Sequence, residues 1–259
     1  MLQPVVGHEG VVYYQSSLLA QNAVPHAFST RNGGVSQPPF DSMNLGVAGD
    51  KTCIDKNFDR FQRAIGCGDF SPVCISQVHG AAVHVVEDDL SNNEADAVVT
   101  DRRGVLLAVR TADCVPILIH DPATNAVSAI HAGWRGMVAG VIGKTISVME
   151  QRFGSRPSQL FAAIGPCIGS GHFEVGEEVV AAFEKTSISD DVILRKTGKK
   201  PHVNLSAAAS DELVRSGLLI DSIERTDRCT FEHAKEFFSH RRDAGRTGRM
   251  AAVIARPRD

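Results

Sequence analysis

Short runs dense in valine and isoleucine recur along almost the whole chain, and they constrain its fold more than any other feature. They fall at residues 11–14, 73–76, 83–86, 105–109, 115–119, 126–130, 160–164 and 250–255. Each is of strand length rather than helix length, and β-branched side chains favour an extended backbone. Helical periodicity intervenes at 57–65, 137–153, 177–183 and 205–216. In the second of these, Val138, Val141, Ile142, Thr145 and Val148 or Met149 share one side. Short hairpin-like connections mix irregularly with helical crossovers, which predicts an α/β (α+β) fold of mixed β-sheets covered by helices rather than a regular parallel one. No repeat or linker interrupts the chain, so residues 1–259 are expected to form a single domain, with the polar stretch 187–200 an exposed loop or hairpin.

Hydrophobic residues make up 43% and charged residues 22% of the chain, which provides a sizeable core and argues against disorder. A formal net charge of −3 supplies no global attraction to nucleic acid or to an anionic membrane, so a small-molecule substrate is the expectation. Residues 1–15 lack a basic stretch leading into an apolar one, and no apolar run approaches the ~20 residues of a membrane span. A cytoplasmic protein is expected. The six cysteines include no CxxC pair and read as reduced thiols, mostly buried. Nothing in the sequence sets an oligomeric state.

Three segments combine residues suited to chemistry: Gln77-Val78-His79-Gly80, Thr111-Ala112-Asp113-Cys114 and His131-Ala132-Gly133-Trp134-Arg135-Gly136. Each follows or borders a predicted strand, and side chains at strand ends project into the space where loops gather. A His2Cys set suits zinc, with copper as the alternative metal, and three protein ligands leave a fourth position open for water or substrate. The spacing matches no short zinc motif, so by spacing alone each residue also reads as an ordinary core or surface side chain. The same residues could instead serve a hydrolase, with Cys114 as nucleophile and His131 as base. The glycines at 133 and 136 permit close backbone approach, and Arg135 at a helix start would favour an anion. Cys167, in a glycine- and proline-bounded turn, reads as structural.

The segments FSTRNGGVS (28–36), NLG (44–46), SQVHG (76–80), ADAVVT (95–100), TADCVPILI (111–119), HAGWRG (131–136), IGPCIG (164–169), FEVG (173–176) and FFSHRRDAGRTGRM (237–250) together resemble the YfiH-like family. That family has been called polyphenol oxidase or laccase-like and is now described as purine nucleoside phosphorylase with adenosine deaminase and methylthioadenosine phosphorylase activities. Some members are linked to peptidoglycan-precursor editing. The resemblance implies a YfiH-like architecture, zinc on His79, Cys114 and His131, and a purine nucleoside and phosphate as substrates. Two positions depart from the family pattern: Phe173 stands where tyrosine is common and Ala244 where glycine is common. A copper oxidase is disfavoured by the absence of HxH pairs that would hold a trinuclear cluster.

Under that resemblance Arg31, Arg135, Arg241 and Arg242 are candidate phosphate contacts, because a guanidinium fork matches phosphate geometry. Arg242 beside Asp243 reads equally as a salt bridge. Asn44 is a candidate for ribose or base, or simply a turn former. Gln77 shares a strand face with His79 and is expected near the substrate. His240 is a candidate proton shuttle or phosphate contact. Asp113 is expected to point away from Cys114, and Trp134 to pack rather than stack on a base.

Overall fold

Each Val- and Ile-rich run contributes residues to a strand of the computed structural model, which describes residues 1–87, 94–195 and 197–257. In chain order the elements begin with β1 (Gln3–Val6), β2 (Val12–Gln15), α1 (Ser17–Gln21), β3 (His26–Ser29), α2 (Lys51–Ala64), β4 (Ser71–Cys74), β5 (Val83–Val85) and β6 (Ala97–Thr100). Next come β7 (Val105–Thr111), β8 (Val115–His120), β9 (Val127–Ala132), α3 (Trp134–Val138), α4 (Val141–Phe153), β10 (Phe161–Ile164) and α5 (Glu177–Phe183). The last are β11 (Ile193–Leu194), β12 (His202–Val203), α6 (Leu205–Arg215), β13 (Ile223–Arg225) and β14 (Met250–Ala255).

Two six-stranded sheets result, ordered β1-β2-β3-β14-β7-β4 and β13-β10-β8-β9-β6-β5. Both are mixed: β4 with β7, β5 with β6 and β10 with β13 are parallel, and the remaining pairs antiparallel. The sheets stack face to face, and alternation along each strand sorts the side chains into layers. In β7, Leu107 and Val109 join Leu118, Val127 and Ala129 of the other sheet, whereas Leu106 and Ala108 face the opposite way and pack with Phe61 of α2. In β8, Val115, Ile117 and Ile119 lie with residues of α4, α5 and α6. Strands buried on both faces explain why these runs are apolar at consecutive positions.

Two helix boundaries differ from the sequence expectation. α2 starts at Lys51 because the Asp50 carboxylate accepts from the backbone N–H groups of Thr52 (2.8 Å) and Cys53 (3.4 Å), so the polar first turns belong to the helix. The 137–153 stretch divides into α3 and α4 because Gly140 takes a left-handed conformation, φ 76°. The 187–200 stretch contains β11, which pairs antiparallel with β12; Lys196 lies outside the described residues. All six cysteines are free thiols, and among the described residues no helix is long and apolar enough to cross a membrane.

Candidate functional site

The chain passes from the first sheet to the second between β4 and β5 and again between β7 and β8. His79 lies in the first passage and Cys114 in the second, immediately before β8. His131 lies on β9, and register brings it to them. Pro116 pairs with His131 and Val115 with Ala132, which carries Cys114 alongside Gly133. On the other flank Ala97 pairs with Ile130, so Asp96 sits beside His131, whose backbone N–H donates to the Asp96 carbonyl at 2.7 Å. The ligand atoms of His79, Cys114 and His131 all lie within 4.8 Å of one another. A side chain at position 133 would crowd the cluster, since a Cβ there would stand 3.2 Å from both Cys114 Sγ and His79 Cδ2. At Gly136 a Cβ would press on the Gly80 carbonyl at 2.8 Å.

Asp96, fully buried, organises this cluster. Its Oδ1 accepts from His131 Nδ1 (2.8 Å) and from the His79 backbone N–H (3.0 Å). Its Oδ2 accepts from the N–H groups of Val78 (3.2 Å) and Gly80 (2.6 Å). The loop carrying His79, where φ is 60°, and the ring of His131 are thus fixed by one carboxylate. With Nδ1 donating to Asp96, His131 turns Nε2 to the centre. Burial alone would raise the Cys114 thiol, but the charges and hydrogen bonds of His131 and His79 outweigh it and bring it down to about 6. Burial pushes His131 the other way, yet Cys114 and Asp96 raise it to about 9. A thiolate beside two imidazoles, one oriented by a carboxylate, is the donor chemistry of a borderline-soft divalent metal, so the residues present fit such an ion.

The cluster opens into a cavity of about 530 Å³. Gln77, His240 and Arg241 line it; Arg31, Asn44 and Arg135 do not. Arg31 is engaged by Asp41, through an ion pair of 3.2 Å and a bond to its carbonyl, and lies over Phe238. Arg135 is exposed and lies over the Trp134 ring, 4.4 Å from its centroid, while Trp134 packs on the core. Asn44 is buried and spends its side chain on the turn it begins and on the Arg249 N–H. Gln77 lines the cavity but binds the Arg110 backbone at both ends, Nε2 to the carbonyl and Oε1 from the N–H, each at 2.7 Å. Arg241 Nη1 donates to the carbonyls of Glu174 (3.0 Å) and His172 (3.4 Å) and stands 5.3 Å from the Phe173 centroid. Arg242 is paired with Asp243 at 2.9 Å. Asp113 takes Thr230 Oγ1 (2.6 Å) and the Arg241 N–H (2.7 Å), so its carboxylate ties loops together.

A family model described as multi-copper polyphenol oxidoreductase laccase matches residues 25–257. The chain belongs to this family, the YfiH family. It is 40% identical over 238 residues to a purine nucleoside phosphorylase of Deinococcus radiodurans, covering 91% of this chain and 90% of that one. To the purine nucleoside phosphorylase YfiH of Escherichia coli it is 39% identical over 230 residues, covering 87% and 91%. The crystal structure of a hypothetical protein YfiH from Bacillus licheniformis superposes with a TM-score of 0.89 at 30% identity, covering 97% of this chain and 98% of the other.

In this YfiH-family chain the site also contains residues that sequence reasoning did not single out: Asp96, Arg110, Arg249, Val47 and Ile168. Asp96 carried a signal, being an acidic residue between alanines at the head of an apolar run. Arg110 is the penultimate residue of β7, the longest strand, and Arg249 immediately precedes the last one. Neither arginine forms an ion pair among the described residues, and burial lowers Arg249 below the usual guanidinium value, with Cys114 and Asp113 opposing.

Proposed function

We propose that this chain is a zinc-dependent purine nucleoside phosphorylase acting in the cytoplasm, one catalytic domain spanning residues 1–259, and that it also deaminates adenosine. The observation that carries this reading is the opening of a three-ligand thiolate–imidazole cluster into a cavity lined by guanidinium groups. His79, Cys114 and His131 would hold the zinc, which when bound supplies a Lewis acid and lowers the pKa of water. No second group of three such ligands occurs among the described residues, which leaves nothing from which to build a trinuclear copper cluster.

About 530 Å³ is a volume suited to a molecule of nucleoside size. Val47, Ile168 and Phe173 offer apolar surface to a base, and arginines offer charge to phosphate. In phosphorolysis a phosphate oxygen forms a bond to ribose C1′ as the C1′–N9 bond breaks. The electron pair leaves with the purine, which gains a proton, and His240 at the cavity wall is the residue proposed to deliver it. Holding phosphate in line with C1′ is the protein's main contribution.

A second reading is favoured by the lowered Cys114 thiol beside His131 and Asp96, a Cys-His-Asp arrangement suited to a nucleophilic hydrolase. It leaves His79 only the part of helping to lower the thiol. Inosine supplied with phosphate should yield hypoxanthine and ribose 1-phosphate, with neither formed when phosphate is omitted. Release of free ribose at the same rate without phosphate would sink the phosphorylase assignment. Elemental analysis should find about one zinc per chain, and iodoacetamide should alkylate Cys114 faster after chelation than before. Equal alkylation in both states would favour the hydrolase.

A further inference from the structure

Two cationic side chains that line one cavity and form no ion pair among the described residues favour an anion between them. Arg110 and Arg249 are such a pair, and the structure holds both through a single turn. Asn44 Oδ1 accepts from the backbone N–H groups of Gly46 and Arg249, each at 3.0 Å. The Leu45 N–H donates to the Arg249 carbonyl at 2.9 Å, and the Leu45 carbonyl accepts from Arg110 Nε at 2.8 Å. A Cβ on Gly46 would stand 3.0 Å from Arg249 Cγ, so the missing side chain lets the arginine stem cross the turn. On the far side Gln77 grips the Arg110 backbone at both its polar groups.

What this bracket leaves free is informative. Arg249 Nη1 bonds the carbonyls of Thr247 (3.1 Å) and Gly248 (3.0 Å), while its Nη2, like both η nitrogens of Arg110, has no acceptor among the described residues. The nearby carboxylate of Asp113 is already spent on Thr230 and the Arg241 backbone. Of the other arginines, Arg31 is ion-paired, Arg135 lies outside the cavity lining, and Arg241, whose Nη1 also donates to two carbonyls, is exposed to solvent where Arg110 and Arg249 are half-buried.

We infer that Arg110 and Arg249 form the subsite for the phosphate nucleophile, and that the Asn44–Leu45–Gly46 turn is the positioning bracket that aims them. The inference rests on the phosphorolysis reading for the identity of its anion. Guanidinium groups with unfilled η positions can take phosphate oxygens bidentately, and two of them offset the charge of a dianion held beside the electrophilic ribose C1′.

The test uses the metal-loaded full chain and inorganic phosphate. Arg110→Met and Arg249→Met keep the stems and remove the forks. Each is expected to weaken phosphate binding, and to raise the phosphate KM at saturating inosine, by roughly ten- to hundredfold, with the inosine KM within about threefold of its starting value. Arg241→Met should lose less than either. Unchanged phosphate affinity in both variants, or a greater loss in Arg241→Met, overturns the assignment. A measurement on the unaltered chain guards against misfolded variants: phosphate should slow phenylglyoxal modification of Arg110 and Arg249, mapped by peptide mass, more than that of Arg135. No such protection also overturns it. Cleavage of inosine that is indifferent to phosphate would defeat the phosphorolysis reading alone, because phosphate protection reports on the subsite independently of turnover.

Discussion

Cys114 and Cys167 are neighbours in the fold with opposite chemistry. Histidines draw the Cys114 thiol down to about 6, whereas burial, reinforced by Cys229 and Asp113, pushes Cys167 well above its ordinary value. Cys114→Ser should therefore lose metal far more readily than Cys167→Ser in a chelator competition; equal loss would reject Cys114 as a distinct ligand. Asp96→Asn keeps the size of the side chain but removes the charge that orients His131 and receives three successive backbone N–H groups. Metal affinity is expected to drop about 10–100-fold, as for other partners behind metal-binding histidines. Unaltered affinity would mean that the strands alone place the ligands. Ala244, where the family resemblance leads one to expect glycine, has φ 48°. Replacement by glycine removes left-handed strain of about 1–2 kcal/mol and restores part of it as chain entropy, for a net gain of about 0.5–1 kcal/mol. Thermal melting should register a rise of roughly 1–4 °C.

Among the elements, the long apolar strands were legible because burial on both faces leaves an uninterrupted apolar run, as in β7, β8 and β14. Less was legible where the pattern was diluted. β1 is mostly exposed at a sheet edge, and β13 spans three residues of mixed polarity, so neither stands out by periodicity. The clustering of His79, Cys114 and His131 was legible from motif context, but the cavity arginines were not, because Arg110 and Arg249 are brought together only through pairing of β7 with β14 and the intervening 44–46 turn. Asn44 and Gln77 drew attention for the right neighbourhood; their side chains are taken up by the backbone beside those arginines. The same logic singles out Asn57 of α2, buried, whose amide accepts from Val35 N–H (2.8 Å) and donates to Ser36 Oγ, the Ser42 carbonyl and the Asn44 carbonyl (3.0 Å each). Asn57→Leu strands several of these groups and should cost about 2–4 kcal/mol. It should also raise the phosphate KM, since the loop that bears the bracket loses its anchor to the helix. Loss of stability with an unchanged phosphate KM would show that the 44–46 turn holds its shape without α2.

At the scale of the whole molecule, two titratable groups outside the cavity lining, the buried His120 and the half-buried Glu212, oppose each other as pH changes. His120, at the end of β8, is lowered by burial to about 4 despite the pull of Asp121; His26 is lowered by burial as well. Unfolding frees His120 to bind a proton near its ordinary value, so between about pH 4 and 6.5 the unfolded chain holds more protons and stability rises with pH. Glu212 of α6 reaches the start of α4, where its Oε1 accepts from the Gly143 N–H at 3.1 Å, yet burial still raises it to about 7. Here the folded chain holds the extra proton, and stability falls as pH rises from about 4.5 to 7. Each effect is worth up to about 3 kcal/mol over its full window, and because the windows overlap they largely cancel in the intact protein. His120→Gln should expose the Glu212 contribution: relative to the unaltered chain, its melting temperature should decline as pH climbs from 5 to 7. Glu212→Gln should do the reverse, gaining relative stability over the same interval. Melts of the metal-loaded protein across that range decide it, since the bound metal holds Cys114 and His131 in one protonation state. Two curves running parallel to that of the unaltered chain would show that neither group changes its proton occupancy on unfolding.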